Sequence, residues 1–553
     1  MRTKLGFCLI VLTAASGAGR AEDTYRVSVS SEGEQGNSGS FRAAVSGDGR
    51  CVGFTSHADE LVRDDNNDVY DVFVYDLVRY TLTRVSVTES GEEGNAQSTS
   101  PVLSDNGRWV AYVSEASNLV PDDTNAVADI FVHDTYFRYN ERVSVASDGT
   151  EANAQSSRPA ISANGRFVVF QSAADNLVPD GADPAGGVFM HDRNTHTTSR
   201  VAVSSTGEPA NGWSAFASVS RDGRFVAFMS TASNLVPDDT NGTRDVFVRD
   251  TVLGTTMRVS LAADGSQANE PCIEPAISAD GAWVAFVTQD ALVPEDQNGY
   301  ADIYVRDLVA EQTFRVSVAT NGREVDASSS SPALSGDGRF VVFLSEATTL
   351  VPNDRNQAAD IFVHDRLTHV TRRVNLTWED KEAKLGCWGP AISGDGLLLA
   401  FSTEADNLVP LDTNQCSDVF LRNATCPEPA WSNYGDGWPG TYGVPIFVSS
   451  APPELCSSIA LVLGNSRGAP TLALLVVGAI ESSLATPWGG TLLVVPRWLT
   501  VLALPESGMV ERIRVPCGRY LCAVPLRMQV LEIDPRASAG VSFTRGLELV
   551  FGN

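Results

Sequence analysis

Lysine is almost absent from this chain, since only Lys4, Lys381 and Lys384 occur among its 553 residues. Acidic residues number 68 against 40 lysines and arginines, so the formal net charge is −28. Nucleic acids and anionic membranes are bound through many lysine and arginine contacts to phosphate groups. From this composition we expect no nucleic-acid partner. A protein or a glycan is the expected partner.

The chain also lacks, after its first residues, an apolar run long enough for a transmembrane segment. A spanning helix needs about 20 mostly apolar residues, and the longest candidate, 459–480, is interrupted by Arg467 and Pro470. Residues 1–21 have positive charges at the start, a short apolar stretch and small residues at the end, which is typical of a secretory signal peptide. We predict an exported protein, secreted or periplasmic, without a transmembrane segment.

Histidine is scarce, and its positions remove one enzymatic interpretation. Residues 464–468 read GNSRG and match the G-x-S-x-G pattern of hydrolases, whose catalytic histidine follows later in the chain. The last of the six histidines is His369, so the match is accidental. His133, His191 and His364 share one position of a repeat where other copies have tyrosine or arginine, which indicates an exposed strand position and no metal ligand. We predict no catalytic residues.

A repeat of 57 or 58 residues fills most of the chain, with a landmark serine at Ser46, Ser104, Ser162, Ser220, Ser278, Ser335 and Ser393. This period indicates a propeller or a solenoid. Each copy reads as four short strands, and an Asp-Gly or Asn-Gly pair after the first strand favours a type I′ turn. The second strand is apolar in both alternating sets, as expected for a strand covered on both faces. The predicted fold class is all-β, with a seven-bladed β-propeller.

The two ends of the repeat region complement each other. The seventh copy lacks the RVSV segment that forms the predicted fourth strand, whereas residues 26–29 read RVSV before the first complete copy. We predict that this N-terminal strand completes the seventh blade and closes the ring, which removes free sheet edges.

The pattern S-x-D-G-R, followed by an apolar strand, a loop and D-[IV]-[FY]-V-x-D, resembles the TolB-like, WD-related propeller repeat of secreted and periplasmic bacterial proteins. The resemblance covers about residues 26–423 and implies the propeller fold, although this chain has seven blades, longer loops and no separate N-terminal domain. We assign residues 22–423 to the propeller and the Pro-, Gly- and aromatic-rich residues 424–440 to a linker. Residues 441–553 contain short apolar runs broken by glycine and proline, which predicts a C-terminal β-sandwich.

Eight cysteines remain after removal of the signal peptide, and an even number in an exported chain favours disulfides. Cys387 and Cys416 fall in two loops expected on the same face of the seventh blade, so we predict a bridge between them. Cys517 and Cys522 flank four residues and are a second candidate pair for a local bridge.

The loop before the third strand, which we name the acid loop, carries a repeated Asp, Asn, Asp set at its positions 1, 3 and 7. Calcium takes six to eight such oxygens, whereas Asp and Asn also hold tight turns by binding backbone N–H groups. Two interpretations stay open: a weak calcium site, with calcium as the cofactor, and a turn-forming role. The third copy has Gly181 and Gly187 in place of the acids and provides an internal control. The six complete sets are Asp65, Asn67, Asp71; Asp123, Asn125, Asp129; Asp239, Asn241, Asp245; Asp296, Asn298, Asp302; Asp354, Asn356, Asp360; and Asp412, Asn414, Asp418.

Four aromatic residues break the repeat on the face that carries the long loops: Trp213, Phe216, Tyr300 and Trp388. Such residues anchor a protein partner or stack on a sugar, and the alternative is that they cover the upper core. We expect a non-catalytic binding or scaffold protein of the cell envelope or extracellular space, with a protein or glycan partner. The other class that stays open is a polysaccharide-active propeller enzyme, a glycosidase or a lyase, which uses paired acids.

Overall fold

The computed structural model describes residues 24–550 except 182–185, 378, 380, 424–429, 455, 456, 479, 480, 489, 495, 497 and 516–524. The predicted signal peptide lies outside these residues. The chain divides into two compact units, Thr24–Ala424 and a second unit that begins at Thr425. Every regular element of the described residues is a β-strand, and no helix among them has the length and apolarity needed to cross a membrane.

The first unit consists of seven four-stranded antiparallel sheets within the described residues. Sheets I to VI contain β2–β5, β6–β9, β10–β13, β14–β17, β18–β21 and β22–β25, and sheet VII contains β26–β28 together with β1. The strands are β1 (Thr24–Arg26), β2 (Ser40–Val45), β3 (Cys51–Ser56), β4 (Asp71–Asp76), β5 (Thr81–Arg84), β6 (Ser98–Leu103), β7 (Trp109–Ser114), β8 (Asp129–Asp134), β9 (Tyr139–Arg142), β10 (Ser156–Ile161), β11 (Phe167–Ser172), β12 (Gly187–Asp192), β13 (Thr197–Arg200), β14 (Ser214–Val219), β15 (Phe225–Ser230), β16 (Asp245–Asp250), β17 (Thr255–Arg258), β18 (Ile273–Ile277), β19 (Trp283–Thr288), β20 (Asp302–Asp307), β21 (Gln312–Arg315), β22 (Ser329–Leu334), β23 (Phe340–Ser345), β24 (Asp360–Asp365), β25 (Val370–Arg373), β26 (Cys387–Ile392), β27 (Leu398–Thr403) and β28 (Asp418–Asn423).

Apolar side chains fill the space between neighbouring sheets, as the two-sided apolar strands predict. Phe131 of sheet II packs with Val72 of sheet I, and Phe54 of sheet I packs with Ala400 and Leu421 of sheet VII. The first strands of consecutive sheets contact one another, and β2 also contacts β26. The sheets therefore close into a propeller-like ring with the first strands at its centre.

Backbone hydrogen bonds join the sheets around the ring at the end that carries the short turns. The bond from Gly394 N–H to the Gly47 carbonyl (2.9 Å) links sheet VII to sheet I, and a Cβ at Gly47 would lie within 2.0 Å of an oxygen of Asp105. The Asp105 carboxylate pairs with Arg221, two sheets away. The other bonds run from Asp48 to Asp105, Asp105 to Ala163, Ala163 to Arg221, Arg221 to Ala279, Asp280 to Gly336 and Gly336 to Gly394. This end of the ring is therefore tightly packed.

The turn after each first strand differs from the predicted type I′ turn. Type I′ requires positive φ at both central residues, but in sheet I only Gly49 has it (69°), and Asp48 does not. Gly49 N–H donates to the Ser46 carbonyl (2.9 Å), and the Ser46 hydroxyl oxygen accepts from Cys51 N–H (2.9 Å). A turn that ends on a left-handed glycine explains both the Asp-Gly pair and the landmark serine.

The N-terminal strand β1 pairs with β28 as the outer strand of sheet VII, with Arg26 opposite Phe420. The predicted bounds, 26–29, are wrong by about three residues, because in every sheet the fourth strand ends at the arginine instead of beginning there. After the strand, Val27 N–H still donates to the Val419 carbonyl (2.9 Å) and the Ser28 hydroxyl donates to Asp418 (2.6 Å). The N-terminus thus supplies the strand that the seventh copy lacks.

Among the described residues the second unit contains three sheets: a two-stranded sheet, β33-β34, and two larger ones that pack around one apolar cluster. Ile459 and Leu461 of the smaller sheet meet Leu475, Val530 and Leu547 of the larger sheet. Residues 430–434, which we predicted as linker, form a strand of the larger sheet because they pair with its C-terminal strand. The strands are β29 (Ala430–Tyr434), β30 (Phe447–Ser449), β31 (Ser458–Leu463), β32 (Thr471–Gly478), β33 (Glu481–Ala485), β34 (Thr491–Val494), β35 (Trp498–Leu504), β36 (Met509–Arg514), β37 (Pro525–Ile533), β38 (Val541–Phe543) and β39 (Gly546–Val550). The larger sheet has the order β29-β39-β37-β32-β35 with β38 on β37, and the smaller has β30-β31-β36.

Candidate functional site

Each first strand contains a β-bulge where its pairing with the second strand shifts. One residue of each bulge is in the left-handed region, with φ between 53° and 61°. This conformation is normally left to glycine, and non-glycine residues in it mark functional or strained positions. We name these seven residues the bulge ring: Arg42, Ser100, Arg158, Phe216, Glu274, Ser331 and Gly389. The first strands start at the long loops, so the bulge ring lies near the long-loop end of the central ring.

The bulge residues contact one another in pairs across neighbouring sheets. Arg42 Nη1 donates to Ser100 Oγ at 2.5 Å. The Arg158 guanidinium lies 3.7 Å from the centre of the Phe216 ring, and the Glu274 carboxylate accepts from Ser331 N–H at 2.7 Å. The bulge residues of sheets I to VI thus form three contacting pairs, and sheet VII contributes Gly389.

The charges of the bulge ring lie close enough to affect one another. The surrounding protein desolvates Arg158 and lowers its pKa, Arg42 lowers it further, and Glu274 acts in the opposite direction. The guanidinium groups of Arg42 and Arg158 therefore lie near one carboxylate of the bulge ring, that of Glu274. The bulge ring is locally positive although the chain has a net charge of −28.

The predicted aromatic residues divide into two groups. Trp213 and Phe216 form an edge-to-face pair with ring centres 6.4 Å apart, so Trp213 is linked to Arg158 through Phe216. Trp388 lies in β26 next to Gly389 and is 37% exposed. Tyr300 is 42% exposed, but it lies in an acid loop, where its N–H donates to Asn298, and so belongs to no first strand.

A small cavity of about 280 Å³ lies beside Arg42. Its walls include Phe41, Tyr70, Thr99 and Glu115, and the rings of Phe41 and Tyr70 meet edge to face at 5.3 Å. The bulge ring thus extends into a groove between sheets I and II that offers aromatic surface next to a guanidinium group.

The acids of the predicted calcium sets hold an arginine in the structure. The arginine that ends the fourth strand places Nη1 between the first and the third member of each set. The distances to the first acid are 2.8 Å for Arg84–Asp65, 3.2 Å for Arg142–Asp123, 3.2 Å for Arg258–Asp239, 3.0 Å for Arg315–Asp296, 3.3 Å for Arg373–Asp354 and 3.1 Å for Arg26–Asp412. The same Nη1 lies 2.9–3.8 Å from the second acid, which is Asp71, Asp129, Asp245, Asp302, Asp360 or Asp418.

The middle Asn and the buried environment complete this arrangement. In sheet I, Asn67 Nδ2 donates to Asp71 (3.1 Å) and to the Gly94 carbonyl (3.0 Å), while its oxygen accepts from Val69 N–H (3.3 Å). Burial raises the pKa of Asp65 to about 6 although Arg84 opposes the shift. The equivalent sets contain Asn125, Asn241, Asn298, Asn356 and Asn414. The geometry favours the structural interpretation of these acids, and calcium binding stays the alternative prediction.

The predicted disulfide between Cys387 and Cys416 is wrong, because both thiols are free. Cys387 is buried with Val342 and Ile361 of sheet VI, whereas Cys416 Sγ faces the Asn37 carbonyl at the start of sheet I (3.9 Å). The two side chains therefore point to opposite neighbours of sheet VII. Cys517 and Cys522 lie outside the described residues.

No family model matches the chain, and no curated protein matches it. Solved structures similar to it include a putative TolB from Agrobacterium tumefaciens, at 13% identity over 50% of this chain and 80% of that one, with a TM-score of 0.33. A puromycin-hydrolyzing peptidase of Mycobacterium tuberculosis covers 81% of this chain and 62% of its own, at 14% identity and a TM-score of 0.40. The extracellular domain of a putative hybrid two-component system of B. thetaiotaomicron covers 95% of this chain and 59% of its own, at 9% identity and a TM-score of 0.35. The similar structures thus include a TolB-like propeller.

Proposed function

We propose that this chain is an exported, seven-bladed propeller with a C-terminal β-sandwich that acts as a non-catalytic binding protein of the cell envelope or extracellular space. Its ligand is a carboxylate-bearing glycan held at the bulge ring. The observation that carries the proposal is the presence of Arg42, Arg158 and Phe216 at left-handed positions where the backbone itself favours glycine.

The chemistry of the bulge ring fits this ligand. Guanidinium groups bind carboxylates through paired, charge-assisted hydrogen bonds, and the aromatic rings beside the bulge positions, Trp213 next to Phe216 and Trp388 next to Gly389, suit a sugar ring. The acidic surface of the rest of the chain does not prevent such binding, because salt screens charges more than about 10 Å away.

Binding is favoured over the glycosidase alternative by the same residues. Glycosidases use two carboxyl groups on either side of the scissile bond, and the seven bulge positions supply one, Glu274. Two arginines beside the one carboxylate of the bulge ring favour an acidic ligand over an acid and base pair, and the next carboxylate, Glu115, lies in the groove beside Arg42.

A glycan array probed with the mature protein tests the proposal, with uronate-containing, carboxyl-reduced and neutral oligosaccharides on the same surface. We expect binding to the uronate set only. Arg158→Ala should weaken it tenfold or more, because a hydrogen bond to a charged group contributes about 1.5–3 kcal/mol. Arg355→Ala is the matched control, since this exposed arginine of an acid loop has the same charge but lies outside the bulge ring. Equal binding of neutral sugars, or equal losses in the two variants, would contradict the proposal. Binding of acidic proteins without any glycan would also contradict it, because the ligand would then be a protein.

A further inference from the structure

Two histidines and a glutamate meet on the side of the ring where sheets II and III are in contact. Glu141 lies in β9, the outer strand of sheet II, His191 in β12, and His196 in the turn between β12 and β13. One carboxylate oxygen and one nitrogen of each imidazole all lie within 4.8 Å of one another. We propose that these three residues bind a divalent transition metal ion, with zinc as the expected ion and water in the open position.

His191 is prepared for this role by its hydrogen bonds. It is buried, with 1% exposure, contrary to the exposed position predicted from the sequence. The Thr198 hydroxyl donates its proton to the Val145 carbonyl, so the contact of 2.8 Å between Thr198 Oγ1 and His191 Nδ1 has the imidazole N–H as donor. This leaves a lone pair on Nε2, which is the form of histidine that binds metals, with an outer partner fixing the tautomer.

Glu141 is also held in place, by Arg193. Both Nε and Nη2 of Arg193 lie 2.8 Å from Oε2 of the carboxylate, so Oε1 is the oxygen that can coordinate. The guanidinium itself is fixed by the Trp109 ring at 3.9 Å and by the Gly165 carbonyl at 2.7 Å. Ligating carboxylates usually have such a hydrogen-bonded partner.

His196 supplies the freedom that metal binding needs. Zinc binds nitrogen and oxygen ligands at about 2.0–2.2 Å, so the three ligand atoms must move closer together than their present spacing. His196 is exposed and is the last residue of the turn before β13, so it can approach the two fixed ligands. Two imidazoles and one carboxylate are the ligand types that select transition metals over calcium.

Sheet VI contains the same scaffold without the carboxylate. His364 and His369 occupy the places of His191 and His196, with ring centres 6.3 Å apart, and His364 Nδ1 again contacts a threonine hydroxyl, Thr371, at 2.8 Å. Phe314 stands where sheet II has Glu141. The chain therefore includes its own two-histidine control.

Titration of the chelator-treated mature protein with Co²⁺, followed by visible absorption, tests the site. We expect saturation at one ion per chain, without the near-ultraviolet bands of thiolate ligation, and competition by Zn²⁺. His196→Ala, at an exposed turn, should reduce the affinity at least tenfold, and Glu141→Gln should do the same while keeping an oxygen for Arg193. His369→Ala is the control and should leave binding unchanged. An absence of saturable binding, full affinity in His196→Ala, or an equal loss in His369→Ala would overturn the assignment.

Discussion

Replacing Arg258 with alanine tests whether the guanidinium or a metal ion neutralises the acid loops. The change leaves Asp239 and Asp245 without their cation, and these carboxylates are 5% and 1% exposed. Removing one partner of a buried ion pair costs about 3–5 kcal/mol, because the remaining charge stays desolvated. In sheet III the same substitution, Arg200→Ala, leaves Asp180, which is 58% exposed and keeps its hydration, so we expect a smaller loss there.

These energies translate into melting temperatures that calorimetry separates. The unit from Thr24 to Ala424 has roughly 400 residues, and unfolding entropy is about 2.1 cal/mol/K per residue. One kcal/mol then lowers Tm by about 1.2 °C, so Arg258→Ala should lower it by about 4–6 °C and Arg200→Ala by less. The loss in Arg258→Ala should shrink as pH falls from 8 to 5, because burial already raises the pKa of Asp239 and protonation removes the unpaired charge.

The comparison of the two variants is decisive because both remove the same side chain from the same repeat position. Equal shifts in Tm would show that the acids of the sheet IV loop are not neutralised by Arg258. A larger loss for Arg200→Ala would refute the burial argument outright. If calcium restores the Tm of the Arg258→Ala protein, the carboxylate oxygens of Asp239 and Asp245 accept a metal ion once the guanidinium is gone.

Three further predictions concern the stability of the ring of sheets. Deletion of residues 22–30 removes β1 and the Arg26–Asp418 ion pair (3.1 Å), so the protein should aggregate or melt markedly lower, and an unchanged Tm would refute closure by the N-terminus. Because an arginine already lies between the acids, calorimetric traces of the wild-type protein with calcium and with chelator should coincide; a calcium-dependent rise in Tm would instead support the calcium sets. The hydrogen bond from Arg166 (2.6 Å) lowers the pKa of Asp192 to about 2, so this pair stabilises the fold fully above about pH 4 and less as pH falls towards 2. Asp192→Asn should therefore destabilise by about 1 kcal/mol at pH 7, after allowance for solvent screening, and very little at pH 2 in urea titrations.

The repeat geometry was predictable because its signals are local. The apolar second strands and the Asp-Gly pairs each lie within a few residues of the element that they form, and the 58-residue spacing repeats these local signals along the chain. The arginine in the acid loops was missed although its signal was present, since Arg84 and its equivalents recur with the same period as the acids. In five of the six sets the arginine follows the two acids by 19 and 13 residues, and the groups meet only because strand pairing folds the fourth strand back along the third.

The bulge ring and the histidine site depend on contacts that no local pattern encodes. A bulge is set by the shift in register between two strands, and residues such as Arg158 and Phe216 have none of the usual preference for a left-handed backbone. The bulge positions do break the repeat, with a different residue in most copies, and this variation was a usable signal. Glu141 and His191 belong to neighbouring sheets, so only the packing of sheet II on sheet III brings them together.

The backbone conformation of the bulge ring also allows an estimate of how much folding stability is lost when its positions carry residues other than glycine. Its φ values stay between 53° and 61° whether the residue is Arg158 or Gly389, so the register of the strands, not the side chain, dictates the backbone. A left-handed non-glycine residue costs about 1–2 kcal/mol. Arg158→Gly should therefore be about 1 kcal/mol more stable than Arg158→Ala, and Gly389→Ala should lose about 1 kcal/mol, although a Cβ there meets no atom within 4 Å. Urea titrations measure these differences. Equal stabilities of the glycine and alanine variants would mean that the backbone places no penalty on Arg158, and the case that function retains this side chain would then fail.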